Sequence, residues 1–390
     1  MVRSWIFYSA CILIAAGCGT EQQGVEETDN AAEAENEDVQ AEEEADNESE
    51  ENTDEEAENI AEEKTDDETN SGEGNGDLAE NNSAEEEHEA DDGAPPEPAG
   101  ELSIHFIDVG QADATLFSHE YDGEAYHVLF DTGDWNRSDA LHYLQEQQVD
   151  ELQVMIGSHP HADHIGQMDK ILESGIAVEE VWMSGDEATS DTFLRVMDAI
   201  ERHVPVYDEP RAGDSFDIGA LQVDVLHPAE LTGDLHDGSL TVHVTYGDVS
   251  VLLTGDAEDS AEQMMLNRDE DVEADILQLG HHGSDTSTTQ PFLEAVDPET
   301  AIYSAGAANS YGHPHDEVLQ RVEDHGADVY GTDVNGTIIV TTDGETYELE
   351  TEKDGEPEAA PEEEADTANE TGDETAPADG CININEADSE

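Results

Sequence analysis

The residues with the clearest chemical potential form the string SHPHADH, which begins at Ser158 and directly follows a short apolar run that predicts a buried strand. Side chains of alternate residues at a strand end project to the same side, so His159 and His161 can reach one cation. The turn into the next helix returns Asp163 and His164 to the same place. Four such side chains within so short a string predict a metal site rather than ordinary packing.

Two later apolar runs end in residues of the same type. Val251–Leu253 leads into Asp256, and Ile276–Leu279 leads into His281 and His282. Three buried strands that each deliver His or Asp to one sheet edge predict a binuclear site, in which Asp256 could bridge the ions. Imidazole and carboxylate ligands suit Zn²⁺, Mn²⁺ or Fe²⁺, and we expect two divalent metal ions, Zn²⁺ or Mn²⁺. Such a pair would activate a water molecule for hydrolysis.

Short β-rich runs and helix-like stretches position these residues within the segment 101–350, which is long enough for a buried core. The predicted strands are Leu102–Asp108, Thr115–Phe117, His127–Phe130, Leu152–Ile156, Leu221–Leu226, Leu240–Thr245, Val249–Leu253 and Ile276–Leu279. The predicted helices are about Asp139–Gln148, Ile165–Glu173, Thr192–His203, Ala257–Asn267 and Asp316–His325. Strands occur in both hairpin-like and helix-separated pairs, which predicts an α+β domain with a mixed sheet system covered by helices.

The chain is extremely acidic, with 103 Asp and Glu against 10 Lys and Arg and a formal charge of -93. A folded domain this acidic repels itself unless salt screens the charges, so we expect a salt-rich habitat, with high solubility as the simpler alternative. Residues 19–100 and 351–380 are poor in large apolar side chains and cannot bury enough surface to offset their ordering entropy. We expect both to be disordered acidic linkers.

Residues 1–18 resemble a bacterial lipoprotein signal, because Arg3 precedes a short apolar run that ends in Ala-Ala-Gly before Cys18. Cys18 would then become a lipidated N-terminus and anchor the protein to the outside of the cell membrane. The alternative is a plain signal peptide with a chance cysteine. Cys11 would leave with the signal and only Cys381 would remain, so no disulfide framework or cysteine-rich metal site is expected.

Six motifs run through about residues 101–342. They are FIDVGQADA from Phe106, LFDTG from Leu129, SHPHADHIG from Ser158, LLTGDAE from Leu252, HHGSDTS from His281 and SAGAANSYGHP from Ser304. The HxHxDH string resembles that of the metallo-β-lactamase superfamily. VGQADA, HHGS and NSYGHP narrow the resemblance to the soluble domain of the ComEC-type DNA-uptake proteins. The resemblance implies an αββα four-layer sandwich that acts as a metal-dependent hydrolase.

Carried over by position, the resemblance implies two ligand sets: His159 and His161 on one ion, Asp163, His164 and His281 on the other, and Asp256 on both. The adjacent His282 could take the place of His281. The catalytic candidates are Asp163, which would orient the attacking water, and His313. The resemblance places His313 behind the ligands or facing the substrate, where it could assist the leaving group. The alternative for His313 is a turn histidine before Pro314.

A further histidine ligand commonly lies between the HxHxDH string and the strand that ends in the bridging aspartate. The candidates here are His227, which precedes a proline, and the pair His236-Asp237. ComEC-like proteins commonly have asparagine at the latter place, and this chain does not. We predict His227 as the third terminal ligand of the first ion and leave His236 or Asp237 as the alternative.

Residues 381–390 resemble the opening of a ComEA-type helix-hairpin-helix module without its DNA-binding hairpin, that is, a truncated tail or an accidental likeness. The expected function is an extracellular phosphodiesterase or nuclease that cleaves DNA with a metal-activated water. The alternatives are a cell-surface phosphodiesterase for teichoic-acid or phosphorylcholine groups, a β-lactamase or lactonase, and a non-catalytic DNA-uptake accessory. Scarce Lys and Arg argue against strong DNA binding, although high salt would weaken that objection.

Overall fold

A computed structural model of the chain describes residues 2–3, 98 and 100–358. The predicted lipoprotein signal, the two acidic linkers and the tail therefore lie almost wholly outside the described residues. Within the described part, no helix combines the length and the apolar character needed to cross a membrane.

The described residues form sixteen strands, seven α-helices and a short 3₁₀ turn. The strands are β1 Val2–Arg3, β2 Leu102–Phe106, β3 Thr115–Tyr121, β4 Glu124–Phe130, β5 Glu151–Gly157, β6 Ala177–Met183, β7 Val206–Asp208, β8 Ser215–Ile218, β9 Leu221–His227, β10 Thr241–Tyr246, β11 Val249–Leu253, β12 Ile276–Gln278, β13 Thr300–Tyr303, β14 Asp328–Gly331, β15 Ile338–Thr342 and β16 Tyr347–Thr351. The helices are α1 Asp139–Glu146, α2 Met168–Ser174, α3 Asp191–His203, α4 Asp259–Asn267, α5 Gln290–Val296, α6 Asp316–His325 and α7 Thr332–Asn335, and the 3₁₀ turn is His281–Gly283.

Two eight-stranded sheets organise these elements. Sheet I has the order β16-β15-β2-β3-β4-β5-β6-β7, and sheet II has the order β1-β8-β9-β10-β11-β12-β13-β14. Each sheet has an antiparallel part and a parallel part, and the parallel strands are β4 to β7 in sheet I and β11 to β14 in sheet II. At the other edge of sheet II, the short strand β1 pairs parallel with β8. Parallel strands deliver their carboxyl ends to one edge, and in both sheets loops that bear His and Asp leave from that edge.

The described residues form four layers, two of helices and two of sheet, and an apolar cluster lies between each pair of neighbouring layers. The inner faces of the two sheets share one cluster, which includes Phe117, Trp182 and Leu253. Helices α1 to α3 contribute the second cluster with the outer face of sheet I, and helices α4 to α6 contribute the third with the outer face of sheet II. The predicted α+β fold, an αββα sandwich, is confirmed.

Every predicted strand and helix is present, with ends shifted by a few residues. No sequence pattern predicted strands β1, β6 to β8 and β13 to β16 or helices α5 and α7. Strand β6 was missed because Glu179 and Glu180 interrupt its apolar run, although its other residues are largely buried between helices and the second sheet. Strand β16 alternates half-buried and exposed residues with two glutamates, so it lacked the apolar pattern of an inner strand.

Candidate metal centre

The candidate site forms where loops from both sheets converge. In sheet I, Asp131 follows β4 and the 158–164 string follows β5. In sheet II, Asp256 follows β11 and the His281-His282 pair follows β12. The Nε2 atom of His164 lies 3.2 Å from Oδ2 of Asp256, so the two sets of loops meet directly.

Among the described residues, three groups of side chains bring ligand atoms within 4.8 Å of one another. The cavity group is His159, His161, His236 and Asp256; the buried group is Asp113, His164, Asp256 and His282; the rim group is His236, Glu258 and His281. The first two groups share Asp256 and contain four ligands each. Four imidazole and carboxylate ligands around each position suit divalent ions such as Zn²⁺.

The buried group contains polar atoms that the protein itself does not satisfy. The Nε2 atoms of His164 and His282 and Oδ1 of Asp256 are buried and make no hydrogen bond of good geometry. Buried polar atoms normally have partners, and atoms left without one around a common point are what a bound cation would satisfy. The described residues therefore fit a metal ion at this position.

Hydrogen bonds behind the buried group fix the orientation of its histidines. His164 Nδ1 lies 2.8 Å from Oδ2 of Asp131, and His282 Nδ1 lies 3.0 Å from the carbonyl oxygen of Ser304. Asp131 also accepts hydrogen bonds from the backbone N–H and the hydroxyl of Ser158, at 2.8 and 2.9 Å. Because these partners can accept a hydrogen bond from the Nδ1–H group of each ring, Nε2 is the atom that faces the centre and is available to a cation.

Asp113 links the two sheets at the metal centre. It lies in the loop after β2 of sheet I, and its Oδ1 accepts a hydrogen bond of 3.0 Å from the side-chain amide of Gln278 in β12 of sheet II. Its Oδ2 lies 3.4 Å from Nδ1 of His282. The carboxylate is therefore held in place by the opposite sheet.

The cavity group is more accessible. His159 is fully buried, and its Nε2 lies 2.8 Å from Nδ1 of His161 and 3.6 Å from Oδ2 of Asp256. His161 and His236 are half-buried, with ring centroids 4.5 Å apart. An ion at this position would lie next to solvent.

The predicted ligands His159, His161, His164 and Asp256 thus converge. Asp163 lies beside them as a half-buried carboxylate, with Oδ2 3.4 Å from Nε2 of His282 and Oδ1 4.0 Å from Nε2 of His164. It is not a member of any of the three groups. Its position next to the buried group and facing the cavity is compatible with either role predicted for it.

His227 lies outside all three groups, whereas the alternative, His236, is in two of them. His227 is buried at the end of β9, where its Nε2 lies 2.7 Å from the carbonyl oxygen of Asp237. The carboxylate of Asp237 accepts a hydrogen bond from the Ala261 N–H at the start of α4. The loop after β9 therefore returns His236 to the centre, and the structure places this residue where we predicted His227.

The two adjacent histidines face different surroundings. Both have positive φ angles, 51° for His281 and 57° for His282, so the direction of each side chain could not be inferred from strand alternation. His282 is buried and belongs to the buried group. His281 is half-buried in the rim group, with Nδ1 3.4 Å from Oε1 of Glu258 and Nε2 3.7 Å from Oδ2 of Asp256. The structure therefore favours the exchange of roles between the two.

In the buried group, nearby charges oppose the effect of burial on the pKa values. Burial works to lower the pKa of His164, but the carboxylates of Asp256, Asp131 and Asp163 outweigh it and hold this pKa well above its usual value. Burial also works against protonation of His282, yet Asp256 and Asp113 raise its pKa to about 9. Burial alone would raise the pKa of Asp256, and the surrounding histidines hold it well below its usual range. The centre thus concentrates negative charge that favours bound cations.

A cavity of about 340 Å³ opens onto the centre. Its wall includes Gln111, Asp163, His281, Tyr311 and His313. His313 is buried, and its Nδ1 lies 3.4 Å from the side-chain nitrogen of Gln111. Burial, followed by the nearby His282 and His281, lowers the pKa of His313 to about 4. The structure therefore places His313 against the cavity rather than on a remote turn.

The comparison with protein families supports this geometry. The model of the metallo-beta-lactamase superfamily matches residues 107–307, slightly more than half of the chain, and the match includes strands of both sheets and all members of the three ligand groups. The chain belongs to the metallo-β-lactamase superfamily.

The chain is similar to curated bacterial proteins whose names refer to recombination or competence. ComE operon protein 3 of Bacillus subtilis (strain 168) is 31% identical over 258 residues, which cover 62% of this chain and 33% of that protein. Recombination protein 2 of Haemophilus influenzae is 32% identical over 246 residues, which cover 61% of this chain and 28% of that protein. The match thus spans about a third of the length of these relatives, and it is consistent with the ComEC-like branch of the superfamily.

Among solved structures, the metallo-beta-lactamase fold protein YhfI from Bacillus subtilis aligns with 60% of this chain and 96% of its own, at 14% identity and a TM-score of 0.40.

In this metallo-β-lactamase domain, three carboxylates of the centre were not predicted as site residues. Asp113 lies within the VGQADA string, Asp131 directly follows a predicted strand at the correct sheet edge, and Glu258 lies two residues after Asp256. The position of Asp131 could have been found by the strand-end argument used for Asp256. Asp113 and Glu258 lie in loops without periodicity, so only the fold brings them to the site.

Proposed function

We propose that this domain is a metal-dependent phosphodiesterase, and that DNA is its substrate. The observation that carries the proposal is the pair of four-ligand groups that share Asp256 and border one cavity. A carboxylate shared between two ligand groups is the arrangement that binuclear hydrolases use. The similarity to recombination protein 2 and ComE operon protein 3 supports DNA among the possible phosphodiesters.

The residues of the cavity wall would have different roles in hydrolysis. Two bound divalent ions would supply a water of lowered pKa and positive charge for the phosphate oxygens. Asp163 faces the cavity with a carboxylate that can accept a hydrogen bond from the attacking water and so orient it. His161, His236 and His281 also line the cavity, where they would contact the bound substrate.

His313 would stabilise the leaving oxygen with a hydrogen bond, and a solvent water would supply the proton that this oxygen takes up. The side-chain oxygen of Gln111 accepts a hydrogen bond of 3.0 Å from the Gly306 N–H, which fixes the orientation of this amide. Its nitrogen must therefore donate to Nδ1 of His313, and the proton of the neutral ring lies on Nε2. The Nε2–H group is then the one that can donate a hydrogen bond to the leaving oxygen.

The test compares three substrates with the full chain in molar salt and either Mn²⁺ or Zn²⁺. The substrates are plasmid DNA, bis-p-nitrophenyl phosphate and nitrocefin. We expect cleavage of DNA that is lost in Asp163→Ala and kept in Asp328→Ala, which removes an exposed carboxylate at the start of β14. Turnover of nitrocefin alone would instead indicate a β-lactamase. Inactivity on all three with two metal ions bound would favour a DNA-uptake accessory.

A cell-surface phosphodiesterase for teichoic-acid or phosphorylcholine groups is the second candidate. The formal charge of -93 favours a substrate that carries a cationic group over a polyanion, and Tyr311 in the cavity wall could contact such a group. Hydrolysis of phosphorylcholine esters but not of DNA would support this candidate.

We also propose that the protein is displayed outside the cell on a lipid attached to Cys18, in keeping with the signal-like sequence before it. Metabolic labelling with a radioactive fatty acid should mark the wild type and Cys11→Ser but leave Cys18→Ser unlabelled. Release of unlabelled wild-type protein into the medium would indicate an ordinary secreted protein.

A further inference from the structure

Two exposed aromatic side chains lie on loops at the metal centre. Tyr311 is 64% exposed and Trp135 is 50% exposed, and the other large apolar side chains exposed in the described part are Leu194, Val206, Tyr207 and Leu231. Tyr311 lines the cavity, and the loop of Trp135 contacts the string that carries His161 and Asp163. Tyr311 borders the cavity and the backbone of Trp135 adjoins its wall, so both exposed rings are available to a ligand with apolar faces that approaches the centre.

The backbone around Tyr311 is fixed by the side chain of Asn309. The side-chain oxygen of Asn309 accepts hydrogen bonds from the N–H groups of Tyr311 and His313, at 3.0 and 3.1 Å. Its side-chain nitrogen donates to the carbonyl oxygens of Gly306 and His313. The ring of Tyr311 stacks on that of His313 with centroids 5.8 Å apart. An exposed ring on such a fixed turn loses little conformational freedom when a ligand binds.

The backbone of Trp135 is also fixed, in the loop that follows β4 of sheet I, whereas Tyr311 follows β13 of sheet II. Its N–H donates to the carbonyl oxygen of Ala162, at 3.1 Å, and Ala162 lies in the cavity wall between His161 and Asp163. Its own carbonyl oxygen accepts a hydrogen bond of 2.7 Å from Nζ of Lys170. The backbone of Trp135 is therefore tied to the site while its side chain remains exposed.

The positive charge near these rings is already engaged. Lys170 donates to the carbonyl oxygens of Trp135 and Arg137, and Arg137 pairs with the carboxylate of Asp139. With 10 Lys and Arg against 103 Asp and Glu in the whole chain, attraction to phosphates is a weak source of affinity for a nucleic acid. Stacking of bases on aromatic rings does not depend on net charge and is insensitive to salt screening.

We propose that Tyr311 and Trp135 are stacking platforms for unpaired bases of the nucleic-acid strand that enters the cavity. The inference rests on the proposed function, because it takes a nucleic acid as the substrate. Base stacking then replaces the cationic surface that other nucleic-acid enzymes use. Duplex DNA, whose bases are stacked on one another, would gain nothing from these rings.

The experiment measures binding of the full chain, with Mn²⁺, to two fluorescent single-stranded probes. Both have a cleavage-resistant phosphorothioate backbone; one carries thymine bases and the other is abasic throughout. We expect the thymine probe to bind about 100-fold more tightly than the abasic probe, because two rings each stack one base and each stacked base contributes about tenfold. Because stacking is not screened, the ratio should persist from low to molar salt.

Variants assign this preference to particular residues. Tyr311→Ala and Trp135→Ala should each reduce the thymine preference, and the double variant should abolish it, whereas Tyr311→Phe and Trp135→Phe should keep it. Tyr207→Ala, which removes the partly exposed tyrosine of edge strand β7, is the matched control and should have no effect. Equal binding of the two probes by the wild type, or a preference that survives the double variant, would overturn the inference.

A parallel cleavage assay separates this inference from the proposed function. Cleavage of DNA without any thymine preference in binding would leave the phosphodiesterase standing and reject the platforms. A thymine preference that depends on Tyr311 and Trp135, without cleavage of any DNA, would support the platforms and reject the nuclease.

Discussion

The two four-ligand groups of the centre differ in how they are held. All four members of the buried group, Asp113, His164, Asp256 and His282, are buried, and each histidine has a fixed acceptor behind it. The cavity group shares Asp256 but has two half-buried histidines, and one of them, His236, comes from a long loop. One position is therefore built into the core, while the other faces the cavity.

This difference suggests that ions bound at the two positions would have different roles. Rigid, desolvated ligands bind an ion tightly because little must be ordered when it binds. Accessible ligands allow the substrate to reach the ion, at the expense of affinity. We therefore expect the buried position to fill first and to empty last. Chelator titration followed by metal analysis should show two steps of release; a single cooperative step would show that the groups are equivalent.

The largest effect is expected from Asp256→Asn, because this residue belongs to both groups. Loss of the shared charge should lower the affinity for both ions by more than about 100-fold. This exceeds the effect usually seen for residues that hydrogen-bond to the ligands. Metal analysis after dialysis should find neither ion retained, and hydrolysis should be lost. Asp328→Asn is the control. Retention of one full equivalent of metal would show that the groups do not depend on a common ligand.

Asp113→Asn should affect the buried group and not the cavity group, because Asp113 belongs only to the buried group. Without metal, burial first of all raises the pKa of Asp113 to about 6 from 3.8, against the opposing influence of His282 and His164. Because the folded-state pKa is the higher one, the stability of the metal-free protein should fall as the pH rises from 3.8 to about 6 and then level off.

The Asp113→Asn variant should not lose stability over this pH range. Without metal, it should therefore melt at a higher temperature than the wild type at pH 8. With metal present the order should reverse, because the variant has lost a ligand. Calorimetry with and without metal measures both. A lower melting temperature for the variant under both conditions would mean that Asp113 is mainly a structural partner of Gln278.

The cavity group should respond to His236→Ala with little loss of stability, because that side chain is half-buried. We expect one of the two metal equivalents to be lost. His227→Ala should show the opposite pattern: both ions stay, but the melting temperature falls because a buried ring is removed. His142→Ala, which removes an exposed histidine of α1, is the control. Loss of metal in His227→Ala alone would restore the assignment made from the sequence.

The smallest effect is expected from Glu258→Gln. The Oε1 atom of Glu258 lies 3.6 Å from Nδ1 of His236 and 3.4 Å from Nδ1 of His281, so it orients two rings of the rim without closing either four-ligand group. Affinity for the weaker ion should fall by about 10-fold, at the lower end for such partners. Isothermal titration measures this change, with Glu323→Gln as the control. A third metal equivalent in the wild type that disappears in Glu258→Gln would instead make the rim group a separate metal site.

The buried and cavity groups also differ in how far the sequence predicts them. His159, His161 and His164 were found because they lie together directly after a buried strand, where strand geometry dictates the direction of each side chain. Asp256 was found for the same reason. The four-layer fold followed from the motifs and from the mixture of strand pairs.

The remaining ligands depend on loops whose course the sequence does not determine. His236 reaches the centre through the loop between β9 and β10, whereas His227, which ends a strand, points to the carbonyl oxygen of Asp237. His281 and His282 both have left-handed backbone conformations, so alternation did not apply to them. Asp113 depends on a partner 165 residues away in the sequence, Gln278, and no local pattern reports such a contact.

The hydrogen bond between Asp113 and Gln278 is part of a wider division of the centre. Each four-ligand group takes two residues from before the loop at 209–214 and two from after it: His159 and His161 with His236 and Asp256, and Asp113 and His164 with Asp256 and His282. Neither portion of the chain can complete a coordination sphere alone. Were the backbone cut in that loop, the two fragments would reassemble with an affinity that rises with the metal concentration, so the ions would act as staples between them.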